Sequence, residues 1–225
     1  MDMNFIQTHY KLYVEAGILT IKIAAIGILL SLIIGIICSL INTMKIPVLK
    51  TIVSIYIELS RNTPLLIQLF FLYFGLPKIG IVLSSETCGI VGLAFLGGSY
   101  MAEAFRSGIE NVSVVQHESA LSLGMTKSQV FWHITLPQAF ETSVPVLCAN
   151  IIFLIKETSV FSAVALADLM FVAKDLIGIY YKTDEALFML VIAYLIILLP
   201  ISLICTFIER RVRYAGFGDS SAIWG

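Results

Sequence analysis

The sequence predicts an all-α membrane protein of about five transmembrane helices, and three observations carry that expectation. Of 225 residues, 59 % are hydrophobic and 13 % charged, about half the charged share of an average soluble domain. Mean hydropathy is +0.96. Uncharged runs recur that approach or exceed the roughly 20 residues a helix needs to cross hydrocarbon. The formal net charge is −1, so the phosphate-neutralising surface of a nucleic-acid binder is missing. Cys38, Cys88, Cys148 and Cys205 stand singly. Without a CxxC spacing or a Cys/His cluster, neither a disulfide framework nor a metal site is expected.

Two spans are plain: residues 23–41 and 187–208 are uncharged throughout. The first is too long and starts too late for a cleaved signal peptide. Within it Ser31, Gly35 and Ser39 recur every four residues, a spacing that lets helix backbones approach closely in lipid. Three shorter runs, 64–77, 87–102 and 142–155, abut Arg61, Glu103 and Lys156. Each either ends at the lipid surface or belongs to a broken, polar-tipped helix lining a cavity. With their polar neighbours these runs give five spans, about 15–42, 52–77, 87–107, 138–160 and 184–209, in a single domain over 1–225.

Basic residues set the direction. Lys45, Lys50, Arg106, Lys127, Arg210, Arg211 and Arg213 fall on one side, against Lys11, Lys78, Lys174 and Lys182 on the other. The positive-inside rule then places the N-terminus outside and the C-terminus in the cytoplasm. Tyr10, Tyr13, Tyr180, Tyr181 and Trp224 read as interface anchors.

Residues 110–137 form a polar cytoplasmic loop on this topology. It holds Glu118-Ser119-Ala120, then Gly124 four residues on, then Ile134-x-Leu136-Pro137. A helix from about Ser113 to Leu123, a glycine stop and a second helix from about Ser128 are expected, with Pro137 opening the next span. Exposed between two spans, such an element is shaped to present a knob to a partner. The spacing resembles the EAA loop of ABC-importer permeases, with Ser119 in place of the middle alanine. That resemblance implies that Glu118, Ser119, Ala120, Gly124, Ile134, Leu136 and Pro137 dock on a cytoplasmic ATPase.

A second resemblance narrows the family. The stretch Glu58 to Gln68 (ELSRNTPLLIQ), residues 98–108 (GSYMAEAFRSG), Ile155-Lys156-Glu157-Thr158-Ser159 and Ile208-Glu209-Arg210-Arg211 are similar to segments of polar amino-acid permeases of the histidine/glutamine/arginine/cystine type. Asn62 stands where that group usually has glycine. The resemblance implies the type I ABC-importer fold in a bacterial inner membrane. It also implies several partners: a dimer of ABC ATPases, a second permease (the same chain or another), an extracytoplasmic amino-acid-binding protein, and membrane lipid. The chain has no phosphate-cradling GxxxxGK[ST] motif, so it is expected to be no enzyme and to hold no cofactor, with ATP–Mg on the partner ATPase. Asp168, Asp175, Asp184 and Glu185 offer either a docking face for the binding protein or a plain solvated surface.

Charge within a span costs about 2.5–3.5 kcal/mol on insertion scales, so it needs a partner or a function. Glu157 is assigned to a substrate ammonium, with Thr158 and Ser159 as hydrogen-bond donors and Lys156 on another face. The alternative is an internal salt bridge of Lys156 or Glu157 with Glu58, Arg61 or Glu103. Glu58, Arg61, Asn62 and Thr63 form a second cluster, in which Arg61 pairs either a substrate carboxylate or Glu103, while Asn62 and Thr63, uncharged and at a helix break just before Pro64, are the pocket candidates. Tyr100 is expected beside the pathway, and Gly97, Gly98 and Ser99 in helix packing or a pocket wall. No metal site and no catalytic residue is expected. Two other functions remain: an ion-coupled carrier using Glu58, Glu103 and Glu157, and a non-transporting scaffold.

Overall fold

A computed structural model describes residues 2–43 and 46–215. Lys45, Trp224 and the side chain of Arg213, used above, lie outside the described residues. Those residues fold as helices α1 (Met3–Thr43), α2 (Pro47–Arg61), α3 (Leu65–Phe70), α4 (Ser85–Glu110), α5 (Val114–Ser122), α6 (Lys127–Val130), α7 (Leu136–Glu157), α8 (Leu169–Tyr180) and α9 (Thr183–Ala215), with no strand among them. The all-α membrane architecture stands. Four stretches, Met3–Asn42, Ser85–Glu110, Lys127–Val164 and Thr183–Val212, are each long and apolar enough to cross a bilayer.

The span expected over 52–77 is instead a broken pair. The chain leaves helical geometry at Asn62, and Pro64 restarts it with ψ 141, because proline disfavours the α region in the residue before it. Its first half, α2, has 15 residues, about 22 Å of helix, too short to cross about 30 Å of hydrocarbon. At the other extreme α1 runs 41 residues, about 60 Å, well beyond the expected 15–42. Helix α8 was not foreseen at all.

Two π-helical turns, Phe71–Gly75 and Phe131–Thr135, each precede a Leu-Pro pair, Leu76-Pro77 and Leu136-Pro137. A proline offers no N–H to the ladder and crowds the carbonyl four residues back. Widening the preceding turn, with Leu76 and Leu136 bonding back to Phe71 and Phe131, lets the rod continue. Pro137 therefore lies within one continuous helical rod from Lys127, and does not open the span as expected.

The α1–α4 contact is the spine. Ser31 is fully buried and donates to Gly27 O at 2.7 Å and Leu93 O at 3.2 Å across the helix pair. A Cβ on Gly35 would stand 2.5 Å from Met101 Cβ and 2.9 Å from the Ala102 backbone nitrogen, so only glycine fits. The small-residue spacing of the first span is thus a packing seam. Gly97, Gly98 and Ser99 pack as well: all three are buried, and Ser99 Oγ lies 2.9 Å from Ser60 Oγ on α2. Ile23, Leu69, Leu93, Leu154, Phe161 and Leu169 fill the core behind this seam. The opposite surfaces of α1 and α9 are apolar and exposed, including Leu29, Ile33, Leu203 and Phe207, the distribution of helices solvated by lipid.

Candidate functional site

Helix α2 carries three different faces. Val53, Ile57 and Ser60 are buried; Val48, Ile52, Ile55 and Leu59 are exposed and apolar. Lys50, Ser54, Glu58 and Arg61, spaced four, four and three residues apart, share one polar stripe. On α4, Tyr100, Glu103, Arg106 and Glu110 form a matching stripe by the same spacing. The two meet at Glu103, whose Oε1 lies 3.8 Å from Arg61 Nη1 and in closer contact with Arg106 Nη2. Arg106 also donates from Nε to Glu103 Oε2 at 3.1 Å and from Nη1 to Glu110 at 2.5 Å. The Arg61 guanidinium sits 5.4 Å from the Tyr100 ring centroid, within cation–π range. Of the two partners open to Arg61, the structure thus supplies the Glu103 carboxylate.

The helix break is held by side chains folded back on it. Asn62 Nδ2 donates to Glu58 O at 2.8 Å and to Glu58 Oε2 at 3.0 Å. Thr63 Oγ1 donates to Leu59 O at 2.8 Å. Gln68 Nε2 spans the gap to Ser60 O at 3.1 Å and Thr63 O at 3.0 Å, which serves the carbonyls left free at the end of α2. Asn62 and Thr63 therefore act first as a cap.

Across the track, Tyr100 stacks on Phe153 at 5.1 Å and its carbonyl accepts from Asn150 Nδ2 at 3.1 Å. Lys156 and Glu157 lie three and four residues beyond Phe153, one helical turn along the same side of α7. They are the last α-helical residues before a 3₁₀ turn at Thr158–Val164. Lys156 is exposed and Glu157 half-buried, and neither makes an ion pair among the described residues. The internal salt bridge open to them on sequence is absent there. Thr158 is fully buried, its hydroxyl donating to Ile155 O at 2.7 Å, so it faces the core while Ser159 is part-buried. Asn150, Phe153 and Gln68 join the site without having been anticipated. Each is an uncharged residue inside an apolar run, so its own chemistry does not mark it there.

Between α4 and α7 stands the expected hairpin. Helix α5 ends as Gly124 N–H bonds Leu121 O at 3.0 Å and Met125 N–H bonds Ala120 O at 3.2 Å, with Gly124 at φ +84. That is a Schellman stop, whose left-handed residue carries no Cβ. A capping box starts α6: Thr126 Oγ1 accepts from Gln129 N–H while Gln129 Oε1 accepts from Thr126 N–H. Glu118, Ser119, Gly124, Leu136 and Pro137 are exposed, Ile134 is half-buried and Ala120 is buried. A cavity of about 580 Å³ opens between Ser119, Ala120, Leu123, Met125, His133 and Ile134.

The four acidic residues around α8 and the start of α9 sit in different surroundings. Asp168 is wholly buried, its Oδ1 accepting from Phe171 N–H at 2.9 Å to cap α8 while Oδ2 is buried without a partner among the described residues. Burial pushes its carboxyl up to about 6. Glu185 is 7 % exposed and accepts the Asp2 N–H at 2.8 Å. Asp2 in turn pairs with Lys182 at 3.3 Å, and the Phe5 N–H and that lysine hold its carboxyl below the usual range. Only Asp175 and Asp184 of the four are exposed.

Comparison with known proteins agrees with this architecture. The probable glutamine ABC transporter permease protein GlnM of Bacillus subtilis (strain 168) is 30 % identical over 95 % of this chain and 99 % of that protein. The probable amino-acid permease protein YxeN of the same organism is 32 % identical over 94 % and 96 %. A crystal structure of an amino acid ABC transporter with histidines superposes with a TM-score of 0.89 at 30 % identity, covering 94 % of this chain and 99 % of that one. Residues 22–214 match the model of the binding-protein-dependent transport system inner membrane component. With four bilayer-length helices and that match across most of its length, the chain belongs to the family of binding-protein-dependent transport system inner membrane components.

Proposed function

We propose that this chain is the permease subunit of an ABC importer for a polar amino acid, moving its substrate by alternating access. The observation that carries the reading is the hairpin at the end of two bilayer-length helices. Its stop and start are fixed by backbone geometry, while most of its residues are exposed for a partner. In this reading the hairpin docks on a cytoplasmic ATPase dimer at Glu118, Ser119, Ala120, Gly124, Ile134, Leu136 and Pro137, so the N-terminus is extracytoplasmic and ATP–Mg is bound by that partner. A second permease, identical or different, completes the pathway, and an external binding protein delivers the substrate.

The substrate path follows the polar stripes of α2 and α4. Glu157, half-buried without a counter-ion among the described residues, takes the substrate ammonium, with Lys156 and Ser159 at the same helix end. Arg61, stacked on Tyr100, offers its guanidinium to the substrate carboxylate by exchanging from Glu103. Asn62, Thr63 and Glu58 shape the break around it, and Thr158 anchors the 3₁₀ turn from inside. An ion-coupled carrier is less well supported, because the Glu103 carboxylate is engaged by two arginines. The relatives named for glutamine and solved with histidines direct the choice of substrates to try.

The test is ATP-driven uptake of labelled glutamine and histidine into proteoliposomes holding the permease with its ATPase and binding protein. Glu157→Gln is expected to cut uptake at least tenfold with protein abundance unchanged. Full uptake by that variant would remove Glu157 from the site, and uptake abolished by a protonophore at constant ATP would replace ABC coupling with ion coupling.

A further inference from the structure

A second polar cavity lies at the far end of the charged stripes. It measures about 290 Å³ and is lined by Ser39 and Asn42 from the end of α1, Lys50 and Ser54 from the start of α2, and Arg106 and Glu110 from the end of α4. Small-molecule sites begin at about this size. Lys50 and Ser54 belong to the same face of α2 as Arg61, which lies eleven residues from Lys50, about 16 Å along the helix. The cavity thus opens on the candidate path, away from the lipid-facing residues Val48, Ile52 and Ile55.

Its chemistry has two unspent groups of opposite character. Arg106 is committed to Glu103 and Glu110, but Lys50 makes no ion pair among the described residues. The Oδ1 of Asn42 is buried with no hydrogen-bond partner among the described residues, an acceptor whose desolvation is uncompensated there. Beside it the Glu110 carboxylate adds a second acceptor, and the Ser39 and Ser54 hydroxyls add donors. An ammonium without an ion pair among the described residues and a buried acceptor lining one cavity fit a ligand that carries both a carboxylate and N–H donors.

We infer that this cavity is a second binding subsite for a free α-amino acid, a staging point at the end of the pathway next to the coupling hairpin. The ligand carboxylate pairs with Lys50 and the serine hydroxyls. Its ammonium donates to Asn42 Oδ1 and Glu110. The inference rests on the proposed path and adds a position to it, four residues before α5 begins. Occupancy here places the amino acid at the end of α4, just ahead of the hairpin.

The experiment is equilibrium binding of labelled glutamine and labelled histidine to the full chain in lipid nanodiscs, counted per chain, with thermal melting as the folding check. Wild type is expected to bind two molecules per chain, and Lys50→Gln and Glu157→Gln one each. Lys50→Arg, which keeps the cation, is expected to retain two. Asn42→Leu is expected to weaken the second site about tenfold or more, the loss of one hydrogen bond to a charged group. N-acetylglutamine, without an ammonium, should fail to compete there. One site in wild type that is lost with Glu157→Gln and indifferent to Lys50→Gln would overturn the cavity and leave the proposed function standing. One site lost only with Lys50→Gln would keep the cavity and remove Glu157 from the path. No binding to wild type would overturn both.

Discussion

The Gly124 hairpin and the charged track are built on opposite principles. In the hairpin, backbone conformation does the work: a Schellman stop with Gly124 at φ +84 and a capping box at Thr126 fix its shape. Most of its side chains point to solvent. In the track, the backbone is plain α-helix and the order resides in side-chain pairs, Arg61–Glu103–Arg106–Glu110. The first element suits the transmission of a push, since a rigid knob needs no internal rearrangement. The second suits exchange of partners, since half-exposed ion pairs are worth little individually and a substrate carboxylate can replace one member. Stiffness and lability are thus segregated within one small chain.

The largest effect that tests this contrast is at Gly124. Nothing lies within 4 Å of a Cβ built there, so a substitution acts through backbone strain alone. Gly124→Val, β-branched at positive φ, is expected to lower transport more than tenfold while membrane abundance holds. Gly124→Asn, tolerated in the left-handed region, should retain most of it. Equal loss in both would mean that the side chain and not the backbone matters at that site.

Glu103→Gln comes next. It removes the carboxylate that holds both arginines, and transport is expected to fall about tenfold, the scale of one charge-assisted hydrogen bond. A drop in melting temperature without a change in transport would make the track a structural brace. Thr126→Ala deletes one arm of the capping box, costing about 1 kcal/mol, and should reduce coupling modestly. Its signature is faster amide exchange confined to 126–135; unchanged exchange would leave the box without a stabilising role.

The smallest effect is one of pH. Asp168 has its folded pKa raised to about 6, above the value of about 3.9 of an unfolded aspartate. Stability is therefore present at acid pH and lost as pH rises through that window. Asp168→Asn keeps the α8 cap and removes the charge. It should melt a few degrees higher than wild type at pH 8, with the difference shrinking towards pH 4. A constant difference across that range would mean that burial of the charge is not the cause.

Much of the architecture was legible because a membrane imposes simple rules. Uncharged length marked α1 and α9, small residues four apart marked the α1–α4 seam, and a glycine between two short helices marked the hairpin between α4 and α7. Other features escaped for physical reasons. That 52–77 does not form one span escaped, because Asn62 and Thr63 before Pro64 marked a helix break without showing how short the helix ahead of it would be. Asp168 and Glu185 look like surface charges among other charges, yet one caps α8 from inside and the other receives the Asp2 N–H. Asn150 and Phe153 offered no signal, because a polar or aromatic residue within a span gains meaning only from the helix it faces.

The sequence by itself determined the class, the family and the position of the helix–glycine–helix hairpin, because these rest on local composition, spacing and the conformational demands of glycine. Only the tertiary structure decided that Arg61 pairs with Glu103, that Lys156 and Glu157 make no ion pair among the described residues, and that Lys50 shares a cavity with Asn42. Those outcomes depend on which faces of α1, α2, α4 and α7 meet. Helix periodicity gives the faces, but packing against distant segments chooses among them.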